Sequence, residues 1–83
     1  MFDVFLKLKA TKDLDKLDKK FFNSVLTKIN ELKTNPFPTG AIKLTDSEVY
    51  RIRVGSFRII YEIFFDNKEI YISRVINRKD AYK

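Results

Sequence analysis

Between Phe57 and Phe65, side chains of opposite character alternate along the chain. Phe57, Ile59, Tyr61 and Ile63 fall on one side, and Arg58, Ile60 and Glu62 on the other. A period of two is the signature of an extended strand with one face turned to a core. The segment Glu48–Val54 has the same pattern, with Tyr50, Ile52 and Val54 opposed to Arg51 and Arg53, and Glu69–Ile76 forms a third run rich in β-branched and aromatic residues. Gly55-Ser56 joins the first two runs as a tight hairpin, and Asp66-Asn67-Lys68 joins the last two. Short links between consecutive strands predict an antiparallel meander. Ile42–Leu44 adds a short strand before a turn near Thr45-Asp46-Ser47.

The first half reads differently. Phe2 to Leu8 alternates loosely and predicts a first strand, with Val4, Leu6 and Leu8 on one face and Phe5, Lys7 and Lys9 on the other. Leu14, Leu17, Phe21, Phe22, Val25, Ile29 and Leu32 then recur at helical spacing. Thr11 suits an N-cap with Asp13 in the first turn, and Asp18 suits a second cap. The expectation is two helices, roughly 12–17 and 19–33, with Phe21 and Phe22 packed against a sheet. Thr34 to Gly40 holds two prolines and a glycine and ends the helical part. Neither half can bury its apolar face alone, so residues 1–83 form a single domain. The predicted class is α+β: two N-terminal helices packed on one face of a mostly antiparallel, four- to five-stranded sheet in the order β-α-α-β-β-β. The other face is left wholly or partly open.

Composition narrows the chemistry. The chain has no cysteine and no histidine, which removes the thiolate nucleophile, the imidazole base and the usual metal ligands. Two glycines are too few for a glycine-rich phosphate loop. We therefore expect no cofactor and no metal. No apolar run approaches a membrane span, and MFDVFLKLK lacks the pattern of a signal peptide. The expected setting is soluble and cytoplasmic.

Seventeen basic residues against eleven acidic ones give a net charge of +6, which favours a polyanionic partner. Net charge does not distinguish the two halves of the chain, but the kind of base does. All five arginines, Arg51, Arg53, Arg58, Arg74 and Arg78, lie in the second half. Arginine presents a planar fork that matches phosphate, whereas lysine is a hydrated point charge. If the apolar sides of the paired strands meet the helices, Arg51, Arg53 and Arg58 emerge together on the uncovered face. Glu62 shares that face as a candidate base or an ion-pair partner of Arg58. The basic end of the chain, with Arg78, Lys79 and Tyr82, places an aromatic ring where it can stack on a base or touch a ribose.

The run Tyr50-Arg51-Ile52-Arg53-Val54-Gly55-Ser56-Phe57-Arg58-Ile59-Ile60-Tyr61-Glu62, with Arg74-Val75-Ile76-Asn77-Arg78-Lys79-Asp80-Ala81-Tyr82, resembles the RelE/ParE toxin superfamily, and most of all its RelE branch. The Leu14 and Leu17 segment and Asn35-Pro36 agree, so the likeness spans the chain. The resemblance implies a metal-independent endoribonuclease, an mRNA interferase, that cuts message in the ribosomal A site and is held inactive by a RelB-like antitoxin. It implies catalytic roles for Arg53, Arg58 and Tyr82, and RNA or phosphate binding by Arg51, Arg78 and Lys79. In such a cleavage the substrate's own 2′-OH is the nucleophile, Arg53 and Arg58 suit charge stabilisation at phosphorus, and Arg51 and Arg78 suit the flanking phosphates. Tyr82 serves as a base only if cationic neighbours lower its pKa, and otherwise stacks. With no strong base in the chain, free RNA should be cut poorly, and efficient cutting should need the ribosome to fix the in-line geometry. Asn77 stands where many relatives carry a histidine. Two other readings remain open here: a ParE-like toxin acting on a topoisomerase, and a degenerate module that only binds RNA.

Overall fold

A computed structural model of the protein describes residues 1–44 and 46–77. The elements are β1 (Asp3–Leu6), α1 (Leu8–Asp15), α2 (Lys19–Leu32), β2 (Ile42–Lys43), β3 (Val49–Val54), β4 (Phe57–Phe64) and β5 (Glu69–Asn77). The five strands form one sheet in the order β1-β5-β4-β3-β2. Three of its four pairings are antiparallel; β1 lies parallel to β5.

The meander follows from its turns. Val54 faces Phe57 across the hairpin, so Gly55 and Ser56 alone make the connection. Gly55 takes φ +58°, a left-handed conformation that a residue without Cβ adopts freely. The link from β4 to β5 contains Lys68 at φ +54°, and its amide donates to the Phe65 carbonyl.

Alternation determines what the sheet buries. Ile59, Tyr61 and Ile63 of β4, Ile52 of β3, and Ile70 and Ile72 of β5 are at most 2% exposed. They meet Ala10 and Leu14 of α1 and Val25, Ile29 and Leu32 of α2 in one core. Phe22 packs at its margin, whereas Phe21 is partly exposed and touches the Phe57 ring at 5.3 Å. The breaker segment is tied down by the Tyr61 hydroxyl, which donates to the Pro36 carbonyl at 2.8 Å. Burial pushes that phenol up to about 12.

Three local expectations need correction. The first strand stops at Leu6, and Leu8 opens α1 with 70% of its surface exposed. The helix therefore starts before Thr11, with Lys7 in the cap position and no side-chain cap. The Thr11 hydroxyl lies one turn inside and points back to the Lys7 carbonyl. Asp13 consequently sits near the end of α1 rather than in its first turn. Asp18 does occupy the α2 cap position, but its side chain makes no capping bond.

Candidate nucleic-acid interface

The site is built from the strand residues that alternation turns away from the helices. On β3, Arg51 is half-buried and Arg53 is exposed; on β4, Arg58, Ile60 and Glu62 are half-buried. Register then determines who meets whom. Arg53 and Arg58 are direct cross-strand partners, and Arg51 faces Ile60 two pairs further along, on the same side of the sheet. Directly opposed side chains have Cβ atoms about 5 Å apart, so Arg53 and Arg58 share one small area. The structure thus brings Arg51, Arg53 and Arg58 together at the Gly55 end of the sheet. The Nε of Arg58 is sealed from solvent.

Glu62 lies elsewhere. It is four residues from Arg58 along β4, or roughly 13 Å at strand rise, and it faces Val49 and Tyr71. Among the described residues, no ion pair joins it to Arg58. The ion-pair role expected of it is not formed. Arg78, Lys79 and Tyr82 lie outside the described residues, which end at Asn77.

The same face has a second character at its far end. The Phe5 and Tyr71 rings stack at 5.2 Å, and Phe64 meets Tyr71 edge-on at 5.3 Å. Phe5 and Phe64 remain about two-fifths exposed, and acidic side chains Glu69 and Asp3 face each other nearby. The sheet face is therefore electrically polarised. It is basic at the hairpin, and acidic and aromatic towards β1.

Two further polar groups went unrecognised. Asp13 accepts from Arg74 Nε at 2.8 Å, from a terminal guanidinium nitrogen of Arg74 at 3.1 Å and from the Val75 amide at 2.9 Å. Burial alone would raise the Asp13 carboxyl. The hydrogen bonds from Arg74 and Val75, with the nearby positive charge, outweigh it and leave the pKa below its ordinary value. Beside this contact a cleft of about 500 Å³ opens between Leu17 and Phe21 of the helical hairpin and Phe57, Ile76 and Asn77 of the sheet. Glu48 accepts the Tyr50 hydroxyl and pairs with Lys43 at 3.4 Å. The Tyr50 bond is the main reason its carboxyl is lowered.

Comparison with known proteins places these features in context. Residues 4–82 match the family model of the ParE toxin of the type II toxin–antitoxin system, parDE. A toxin named RelE1 from Methanocaldococcus jannaschii is 34% identical over 86 residues, covering 99% of this chain and 96% of the relative. In the archaeal RelE–RelB complex from Pyrococcus horikoshii, a chain superposes with TM-score 0.81 at 25% identity, covering 93% of this chain and 94% of that one. A chain of the RelB–RelE antitoxin–toxin complex from Methanococcus jannaschii gives 0.77 at 27% identity, covering 94% of both. A chain of the intact E. coli RelBE complex shares the fold alone, with TM-score 0.82 at 16% identity over 93% of this chain and 96% of that one. No helix among the described residues is long and apolar enough to cross a membrane.

Proposed function

This chain belongs to the RelE/ParE toxin superfamily, and on that premise we propose that it is a ribosome-dependent mRNA endonuclease, paired with a RelB-like antitoxin. The observation that carries this reading is the Arg53–Arg58 cross-strand pair with Arg51 beside it. These guanidinium groups stand on strand positions turned away from the helices, and their planar forks match the oxygens of a phosphodiester.

The reaction needs little from the protein beyond geometry and charge. The ribose 2′-oxygen attacks phosphorus, a new P–O2′ bond forms, and the bond to the 5′-oxygen of the next nucleotide breaks. The products are a 2′,3′-cyclic phosphate and a 5′-hydroxyl. The proton lost from the 2′-OH is balanced by one gained at the leaving oxygen. Arg53 and Arg58 stabilise the extra negative charge at phosphorus, and Arg51 and Arg78 hold flanking phosphates. Tyr82 stacks on a base beside the scissile bond. Neither histidine nor cysteine is present to act as a strong base, so the ribosome's hold on the codon supplies the in-line alignment.

The decisive experiment adds purified protein to a translating extract and maps mRNA ends by primer extension. The reading expects codon-phased breaks that fall about a hundredfold or more in Arg53→Ala and Arg58→Ala, and breaks in naked RNA at a far lower rate. Intact message in the wild-type reaction overturns it. The ParE family match favours a second reading, inhibition of a topoisomerase without RNA chemistry. Stalled gyrase with intact message is its outcome.

A further inference from the structure

The end of β5 is held in an unusual way. β1 pairs with β5 only as far as Leu6 and Ile72, yet β5 continues to Asn77. On the inner side, β4 pairs with this last limb throughout, Ile60 facing Arg74 and Arg58 facing Ile76. A bulge separates the two parts, because Ile72 faces Tyr61 while Arg74 faces Ile60 and Ser73 is left over. On the outer side, no strand among the described residues replaces β1. The Val75 amide, which points outward there, is taken by Asp13 of α1. The same carboxylate grips Arg74 through two of its nitrogens.

We propose that Asp13 is a positioning residue of the arginine site: by holding Val75 and Arg74 it fixes the last limb of β5, and with it the place of Arg58. The inference rests on the nuclease reading above. A strand end paired on one side only presents an open edge and opens more readily than a strand paired on both. Asp13 does so with three charge-assisted bonds, the directional kind. Its side chain is only 14% exposed, and Ala10 and Leu14 of the same helix are buried in the core, which ties the anchor to the body of the fold. The effect reaches the site because Ile76, one residue beyond Val75, is the cross-strand partner of Arg58. Asp13 itself touches neither Arg53 nor Arg58, so it acts through β5 and not on the reacting atoms.

The test uses the full chain with Asp13→Asn, which keeps an acceptor for the Val75 amide but loses the charge that holds Arg74, and Asp13→Ala, which keeps neither. Both are assayed well below their melting temperatures. The expected result is graded: ribosome-bound message is cut about tenfold more slowly by the Asn variant and about a hundredfold more slowly by the Ala variant, in kcat and not KM. In parallel, Val75 amide exchange accelerates in the same order, and the Arg58 and Asn77 NMR resonances shift. A folded Asp13→Ala variant with wild-type kcat overturns the inference. So does unchanged kcat accompanied only by a lower melting temperature, since that is a purely structural role. If the wild-type protein cuts nothing, the nuclease reading has failed, and unchanged Arg58 resonances in Asp13→Ala would separately overturn the hold of Asp13 on the place of Arg58.

Discussion

Arg53 and Arg58 face each other directly across the β3–β4 hairpin, with like charges on neighbouring strands. Such a pairing works against the fold, by roughly 0.2–1 kcal/mol for opposed like charges. Strand-forming residues of neutral character would serve the sheet better.

Removing one member should therefore separate stability from activity. Arg53 is exposed, so Arg53→Thr leaves no cavity. We expect its melting temperature to equal or slightly exceed that of the wild type, while message cleavage falls about a hundredfold. Thermal unfolding and primer extension on the same preparation check both halves. A fall in both together would mean that Arg53 is a structural residue.

Salt should report the number of phosphates engaged. For single-stranded nucleic acid, each neutralised phosphate contributes about −0.7 to the slope of log K against log salt concentration. Arg51, Arg53 and Arg58 acting together predict a slope near −2 or steeper. Arg53→Gln should make it shallower by about 0.7. Fluorescence titration of a labelled oligoribonucleotide from 50 to 400 mM salt measures this.

Acid should expose the Asp13 contact. Its carboxyl titrates below the ordinary 3.8 in the folded protein. A depressed folded pKa adds stability at pH values above 3.8, and that contribution is lost as pH falls through the folded value. Melting temperature should decline between pH 4 and pH 2, and Asp13→Asn should decline less over the same range. Equal slopes would remove Asp13 from the account.

Alkali acts on the opposite side of the core. Tyr61 is fully buried and its hydroxyl is raised to about 12, so it should ionise after an exposed phenol in a spectrophotometric titration. A raised pKa gives stability that is complete below 10 and lost as pH climbs towards the folded value. Tyr61→Phe leaves the Pro36 carbonyl without this donor and should cost about 1 kcal/mol in urea unfolding.

Much of this architecture is legible in the chain. The alternation of Tyr50 to Val54 and of Phe57 to Ile63 gave the strands, their pairing and the side on which the arginines emerge, because each rests on a period of two and a two-residue turn. Two kinds of feature were hidden. Leu8 looks like one more strand residue because its apolar character continues the earlier alternation, yet it lies exposed at the start of α1. Its neighbourhood is decided by where β1 runs out of partner, a fact about Ile72 and not about Leu8. For Asp13 the sequence shows only a helix dipole, because local rules see near neighbours, while its partner Arg74 lies 61 residues away. Glu62 could be placed on a face but not at a distance, and the distance excluded its pairing with Arg58.

The strict two-step rhythm of the hairpin has a consequence for how this protein can vary. Exchanging one large apolar side chain for another between Tyr50 and Ile63 leaves the arrangement intact. Deleting a single residue from β3 does not, because every side chain beyond the lesion changes sides. Guanidinium groups would then be driven in among Ile52, Ile59 and Tyr61, and isoleucines would be left facing water. Drift by substitution is open to this hairpin, whereas drift in length by odd steps is closed.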